Sequence, residues 1–207
     1  MGWYERHVFN RAMEHVLDRP VVWAERAAAL EAARGRILDV GLGTGMNLPS
    51  YPAHVERITT VSPGPRLDAR ALARAAARGI DVAFVEGHAE AMPVPSAAFD
   101  TVVCTFVLCT VADPAAALAE FRRVLAPGGR LVFLEHVASP RPAPRALQRV
   151  LDPVHRRLAC GCSIVRDTVA SIRRAGFHME ALTERHVGAV PWPYRRVIRG
   201  AASSTRA

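Results

Sequence analysis

Arg36-Ile37-Leu38-Asp39-Val40-Gly41-Leu42-Gly43-Thr44-Gly45-Met46-Asn47 is the stretch on which the reading of this chain depends. Ile37, Leu38 and Val40 form a short, β-prone apolar run of the kind buried on both faces of a sheet. Asp39 interrupts it near its carboxyl end, and Gly41, Gly43 and Gly45 follow at alternate positions. Glycine accepts positive φ and lets another molecule approach the backbone closely. Open α/β sheets bind ligands just beyond the carboxyl ends of their strands. The glycine turn therefore predicts a floor for a nucleotide-like ligand. The dinucleotide pattern is G-x-G-x-x-G. Here the third glycine comes one residue early, and an acid stands two positions before the first.

Bulk properties restrict the alternatives. A chain of 207 residues is read as one domain, with 50% hydrophobic and 22% charged residues, ordinary for a globular protein. All 27 basic residues are arginine, and alanine is abundant, a composition expected of a GC-rich bacterial genome. The net charge of +8 is spread over scattered arginines with no interleaved aromatics, so no nucleic-acid partner is expected. Cys104, Cys109, Cys160 and Cys162 follow no common zinc spacing, and no metal site is expected. Met1 to His7 has no apolar signal core, and the longest apolar run, Thr101 to Ala112, is too short to span a bilayer. These features predict a cytoplasmic protein without integral membrane association.

Working outward from the glycine turn, strands and helices alternate. Two helices, Tyr4 to Leu17 and Val21 to Ala33, precede the first strand and are expected to cover the ligand. Pro49 and Pro52 keep the helix after the turn short. Strands follow at Arg57 to Ser62, Asp81 to Glu86, Phe99 to Thr105 and Arg130 to Glu135. Helices lie between them at Arg66 to Arg78, ended by Gly79, and at Pro114 to Leu125, capped by Asp113. Arg145 to Leu158 and Ile164 to Ala175 read as helices. A sixth strand starts at Gly176-Phe177 and a seventh runs from Tyr194 to Ala201. The link Arg185 to Pro193 lacks a helix, so these two strands can pair antiparallel. Ser203 to Ala207 is expected to be disordered. The prediction is an α/β, Rossmann-like doubly wound seven-stranded sheet, mostly parallel with an antiparallel edge hairpin. Residues 1–34 would form a helical cap, 35–136 the ligand-binding core, 137–176 substrate-covering helices and 177–202 the final strands.

The acid and glycines of the opening stretch resemble motif I of the class I S-adenosylmethionine (SAM) methyltransferases. Gly87-His88-Ala89-Glu90-Ala91-Met92-Pro93 resembles that family's adenine loop, Phe99 to Cys104 its fourth strand, and Leu125-Ala126-Pro127-Gly128-Gly129 the turn before its fifth. Val102 to Val111, Glu135-His136-Val137-Ala138, Leu151-Asp152-Pro153, Gly161-Cys162-x-x-x-Arg166 and Pro191-Trp192 are similar to the thiol S-methyltransferases within it. Related bacterial members carry quinone- or phospholipid-type assignments. The resemblance implies SAM as cofactor and S-adenosylhomocysteine as product. It places Asp39, Gly41, Gly43, Gly45, Asn47, Ser62, Pro63, His88, Ala89 and Cys104 at the cofactor. Two positions depart from the family. Ser62 stands where an acid usually holds both ribose hydroxyls, and His88 where an acid accepts from the adenine amine. A serine makes one such bond, without charge assistance.

For the chemistry, His136 is the first candidate. It ends the fifth strand at the edge where ligands bind, and imidazole titrates near neutral pH. Asp152, His155 and Arg166 are further candidates. Cys104 and Cys109 read by themselves as small core residues, and Cys160 and Cys162 as packing or surface residues. The expected function is methyl transfer to a small-molecule acceptor, most readily a thiol. Alternatives are O- or C-methylation of a quinone- or phenol-type acceptor, arsenite methylation with cysteine ligands, and a non-catalytic SAM-fold binding module. Oligomeric state stays open.

Overall fold

The structure, a computed structural model, describes residues 10–204. Seven strands form one sheet in the order β3-β2-β1-β4-β5-β7-β6. β1 (Ile37–Val40), β2 (Arg57–Ser62), β3 (Asp81–Glu86), β4 (Phe99–Thr105) and β5 (Leu125–His136) run parallel. β6 (His178–His186) and β7 (Arg196–Ser203) pair antiparallel, and β7 lies antiparallel to β5. This is the predicted doubly wound sheet with its edge hairpin. The four residues of β1 are all buried, as their apolar run requires.

Helices cover both faces. α2 (Pro20–Leu30) and α3 (Ala69–Arg78) pack Val22, Leu30, Ala71 and Ala75 against Ile37, Ile58 and Val103 on one side. α4 (Pro114–Val124) and α6 (Thr168–Arg174) pack Leu118, Phe121 and Ile172 against Val102, Leu131 and Phe133 on the other. Burying a side chain of this size stabilises by about 1.5–3 kcal/mol. Successive residues of the central strands point to opposite faces, so Val102 and Val103 enter different cores. α3 starts at its N-cap Asp68, which accepts from Arg70 N, and ends at Gly79 with φ 65°. α4 starts at Asp113, which accepts from Ala115 N and Ala116 N. The turn after β1 yields one 3-10 turn, Leu48–Ser50, as the flanking prolines demand.

Several boundaries differ from expectation. β5 begins at Leu125 rather than Arg130, and the Pro127-Gly128-Gly129 turn survives as a break in register against β4 between Phe99 and Thr101. α6 is shorter than expected because residues 164–167 form a non-helical segment, held where Ile164 N donates to Asp152 and the Arg166 carbonyl accepts from Ala138 N. α5 (Pro142–Leu158) begins earlier, at prolines that suit a helix start. β7 runs to Ser203, which pairs with Arg130 and His178, so Ser203 is ordered in the sheet. α1 (Asn10–Leu17) is the described part of the first predicted helix; Tyr4 to Phe9 and residues 205–207 lie outside the described residues. Among the described residues no helix is long and apolar enough to cross a membrane.

Candidate active site

The three turn glycines have φ of 71°, 57° and 81°, values that side chains rarely adopt. Their reasons differ. A Cβ on Gly41 would lie 2.8 Å from Val107, and one on Gly45 would lie 2.8 Å from the Ala71 backbone. Those two are needed for packing. A Cβ on Gly43 would meet nothing nearer than 3.7 Å. Gly43 instead borders a cavity of about 600 Å³ beyond the ends of β1 and β2, shared with Ser62, Pro63, Gly64, Arg66 and Asp68. α1 covers it: Glu14 accepts from Arg70 and Arg74, and Arg11 reaches the lining. The Ser62 hydroxyl is buried and has no partner.

Behind the turn, Asp39 is fully buried. Asn47 Nδ2 and Tyr51 Oη each donate to Asp39 Oδ2 at 2.8 Å, while Oδ1 is buried without a partner. Asn47 Oδ1 accepts in turn from the buried Arg26 guanidinium and from Thr105 Oγ1. Burial pushes the Asp39 carboxyl up to about 6, against the bonds from Asn47 and Tyr51 and the charge of Arg26. Burial likewise brings Arg26 down to about 10, with Asp39 opposing. A free carboxylate oxygen, an unpaired serine hydroxyl and an open place over Gly43 fit a cationic, hydroxyl-bearing nucleotide-like ligand.

A second cavity of about 120 Å³ lies against the segment that follows β4. Its wall is apolar, from Met13, Leu17, Val22, Phe106, Val190 and Val197. Its polar groups are Cys109, Thr110, His136, Cys162 and Tyr194. Phe106, at φ 56°, turns the chain sharply; such strain costs about 1–3 kcal/mol and persists only where the surroundings enforce it. Glu135 does so. Its buried carboxylate accepts from the amides of Val107 and Leu108 at 2.8 Å and of Cys109 at 3.3 Å. Gly41 packs on Val107, so the glycine turn lies against the same segment that gives this cavity Phe106, Cys109 and Thr110.

Inside the cavity His136 Nε2 lies 3.1 Å from Cys162 Sγ, and the His136 Nδ1 is buried without a partner. Cys109, His136 and Cys162 bring their ligand atoms within 4.8 Å of one another. A hydrogen bond from the Cys109 thiol and the adjacent His136 bring Cys162 down to about 5, despite burial. Cys109 itself is pushed far up by that bond and by burial. Burial opposes charge on His136, but Cys162, Glu135 and Asp152 outweigh it and raise its affinity for a proton. His155 Nδ1 pairs with the Cys162 carbonyl at 2.8 Å and its Nε2 with the Tyr194 hydroxyl.

The expected site residues separate into groups. Gly43, Ser62 and Pro63 line the larger cavity. Gly41 and Gly45 shape the turn beside it, and Asp39 and Asn47 are paired behind that turn. His136 lines the smaller cavity. The remaining expected residues lie away from both cavities. Cys104 is fully buried in the core, its thiol 3.5 Å from Glu135 Oε1, and meets neither cavity. Ala89 packs into the core and His88 is exposed beside it; neither borders the Ser62 cavity. Asp152 accepts from Ser163 Oγ at 3.2 Å and Ile164 N at 2.7 Å, so it holds the Cys162 segment and does not face the cavity. Arg166 donates to the Val111 carbonyl at 2.7 Å and borders neither cavity. Sequence reasoning read Cys109 as a core residue and Cys162 as packing or surface, and gave Arg26, Glu135 and Tyr194 no role at the site. Glu135 carried a signal: an acid at the end of a long apolar strand must be satisfied by something specific.

Comparison with known proteins finds methyltransferases. A family model described as a methyltransferase domain matches residues 38–133. The human thiol S-methyltransferase TMT1B is 35% identical over 170 residues, 79% of this chain and 68% of that protein. The demethylmenaquinone methyltransferase of Thermus thermophilus is 43% identical over 148 residues, 69% of this chain and 66% of that one. The chain spans between 59% and 68% of the length of the thiol S-methyltransferases it matches. A geranyl diphosphate methyltransferase solved in complex with SAM superposes with a TM-score of 0.69 at 15% identity, covering 93% of this chain and 95% of that one.

Proposed function

The chain belongs to the class I SAM-dependent methyltransferases, and we propose that it transfers the SAM methyl group to the thiol of a small, apolar acceptor. The observation that carries the acceptor is the 120 Å³ cavity, apolar but for a cysteine–histidine cluster and two hydroxyls, part of whose wall comes from the segment that packs on the glycine turn. An apolar pocket with few convergent polar groups is the usual form of a small-molecule site. The relatives named as thiol S-methyltransferases support it.

SAM supplies a methyl group already activated on a sulfonium. The residues of this chain hold, align and desolvate. Gly43 leaves room for the cofactor, Ser62 offers one hydroxyl to the ribose, and Asp39 offers Oδ1 to the cationic amino group. Phe106, fixed by Glu135, sets the angle between the two cavities. Alignment of this kind removes about 7–11 kcal/mol of barrier when the geometry is near the attack line. Cys162 and His136 lie at the acceptor, and we assign His136 to ionising it. A free thiol has a pKa of about 8.5, so the ionised form needs help at neutral pH.

A second reading is methylation of a quinol-type carbon, favoured by the Thermus relative. The pH–rate profile separates the two. With a panel of alkyl and aryl thiols, His136→Ala should lower the rate by about 10²–10⁴ at pH 7. The loss should shrink at high pH, where solvent has ionised the thiol. Turnover of a quinol with no thiol turned over would establish the second reading. A chain that binds SAM in calorimetry and turns over neither is a binding module.

A further inference from the structure

We propose that Cys109, His136 and Cys162 form a binding site for a soft or borderline divalent cation of the zinc class, set in the wall of the acceptor cavity. Its use by the acceptor rests on the thiol reading above; the site itself does not. Two sulfur atoms and one imidazole nitrogen lie within 4.8 Å of one another, all on buried residues. Thiolate with imidazole is the donor set that zinc takes, and three protein ligands with one position left open is the pattern of zinc sites that act on substrates. Among the described residues, no fourth cysteine, histidine or carboxylate joins the group. All three ligands border the same cavity, so the open position faces the space assigned to the acceptor.

The convergence is built from distant parts of the chain. Cys109 follows β4, His136 ends β5, and Cys162 follows α5. Two buried carboxylates hold the cysteine-bearing segments. Glu135 accepts from the Cys109 amide, and Asp152 accepts from Ser163 and Ile164, next to Cys162. Ser163 N donates to the Cys109 carbonyl at 2.8 Å, tying the two segments together. Gly161 has φ 91°, and a Cβ there would lie 3.0 Å from the Thr110 carbonyl oxygen, so this close approach is built in. Burying two carboxylates is costly unless each is fully used. Here both fix the ligands, the arrangement by which groups around a metal site orient its ligands.

Where the cation is bound, His136 promotes ionisation of the acceptor as a ligand of that cation and does not take the proton itself. The acceptor thiol takes the fourth position as thiolate and releases its proton to solvent. Its sulfur then attacks the SAM methyl. One S–CH3 bond forms, the sulfonium S–CH3 bond breaks with its electron pair going to the departing sulfur, and S-adenosylhomocysteine leaves neutral. A zinc ion with two cysteine thiolates and one acceptor thiolate carries one negative charge, which the sulfonium cancels. The thioether product is a poor ligand and gives up the position.

The test uses the full chain, stripped with a chelator and then titrated with Zn²⁺ or Co²⁺. One ion per chain should bind, and the cobalt form should show intense sulfur-to-metal charge-transfer absorption. Cys109→Ser and Cys162→Ser should lose stoichiometric binding, while Cys160→Ser keeps it. Asp152→Asn should weaken zinc affinity by about 10–100-fold. Absence of stoichiometric binding, or a cobalt spectrum without thiolate bands, overturns the site, and this holds even if the cysteine variants fail to fold. Thiol turnover that falls on stripping and returns with Zn²⁺ supports the site and the thiol reading together. Undiminished turnover by the stripped chain overturns the proposed role and leaves the thiol reading standing. Zinc binding without turnover of any thiol upholds the site and removes the thiol reading.

Discussion

The glycine triplet shows how three identical residues answer three different constraints. Gly43→Val puts two methyl groups into the space above the turn, where the protein itself has nothing to meet them. It should abolish SAM binding in calorimetry while lowering Tm only by the strain of a side chain at positive φ, about 1–2 kcal/mol. Gly45→Ala drives a methyl against Ala71 and should lose stability first, by about 1–3 kcal/mol. Equal SAM affinity in Gly43→Val and the parent would remove the cofactor from this cavity. Asp39 gives a pH dependence of known sign. Its pKa in the fold, about 6, lies above the ordinary value of 3.8. Its contribution to stability is therefore fully present below pH 3.8 and is lost as the pH rises through 6, on the order of 3 kcal/mol in all. A bound cation favours the ionised carboxyl, so SAM affinity should rise as the pH passes 6. Asp39→Asn should flatten both profiles; a parent protein whose SAM affinity is level from pH 5 to 7 would contradict the role given to Asp39.

At the scale of the element, the segment after β4 carries the link between the cavities, and its shape depends on one carboxylate from β5. Glu135→Gln replaces an acceptor oxygen by an NH₂ group facing amide donors. Leaving such donors unsatisfied costs about 1–3 kcal/mol. The expected result is a lower Tm, a raised KM for the acceptor and little change in SAM affinity, because the glycine turn hangs on Asp39 and Asn47 instead. A Glu135→Gln protein with unchanged acceptor KM would show that Phe106 keeps its geometry without this support. α5 supports the neighbouring segment in a similar way, since its buried Gln148 and Asp152 face inward to hold Ser139 and the Cys162 segment. Its outer side leaves Leu147, Val150, Val154 and Leu158 exposed.

For the whole molecule, the edge hairpin completes the site. β7 lies between β5 and β6, and it brings Val197 to the acceptor cavity. Gly200 allows it to sit there. A Cβ at Gly200 would come within 2.1 Å of the Ala181 carbonyl oxygen and 2.8 Å of Phe133. Gly200→Ala must shift β6 and β7 apart or displace Phe133, at a cost of about 1–3 kcal/mol. The hairpin is also tied to α2 by Glu25, which pairs with Arg185 and Arg199. Thermal unfolding should record the loss, with the acceptor site weakened more than the cofactor site. Parent-like Tm for Gly200→Ala would mean that the strands have room to slide.

The alternation of strands and helices, the strand edges at Arg57, Ser62, Asp81 and Glu86, the caps at Asp113 and Gly79 and the glycine turn were all legible in the chain, because each is a local property of backbone preference and apolar period. That Gly43 and Ser62 meet at one cavity was legible for the same reason: they lie at the ends of β1 and β2, which the sheet brings to one edge. The grouping around the smaller cavity was not. Cys109, His136 and Cys162 are separated by 27 and 26 residues, and no spacing rule joins them. Arg26, Asn47 and Thr105 meet around Asp39 from three different segments. Asp152 and Arg166 carry the residue types of catalysis, yet packing turns both toward backbone partners. Periodicity fixes which side of an element is buried; it does not say which buried polar groups face each other across the gap between elements. That pairing is decided when the elements dock, since only then does a buried donor or acceptor find the partner that offsets its desolvation.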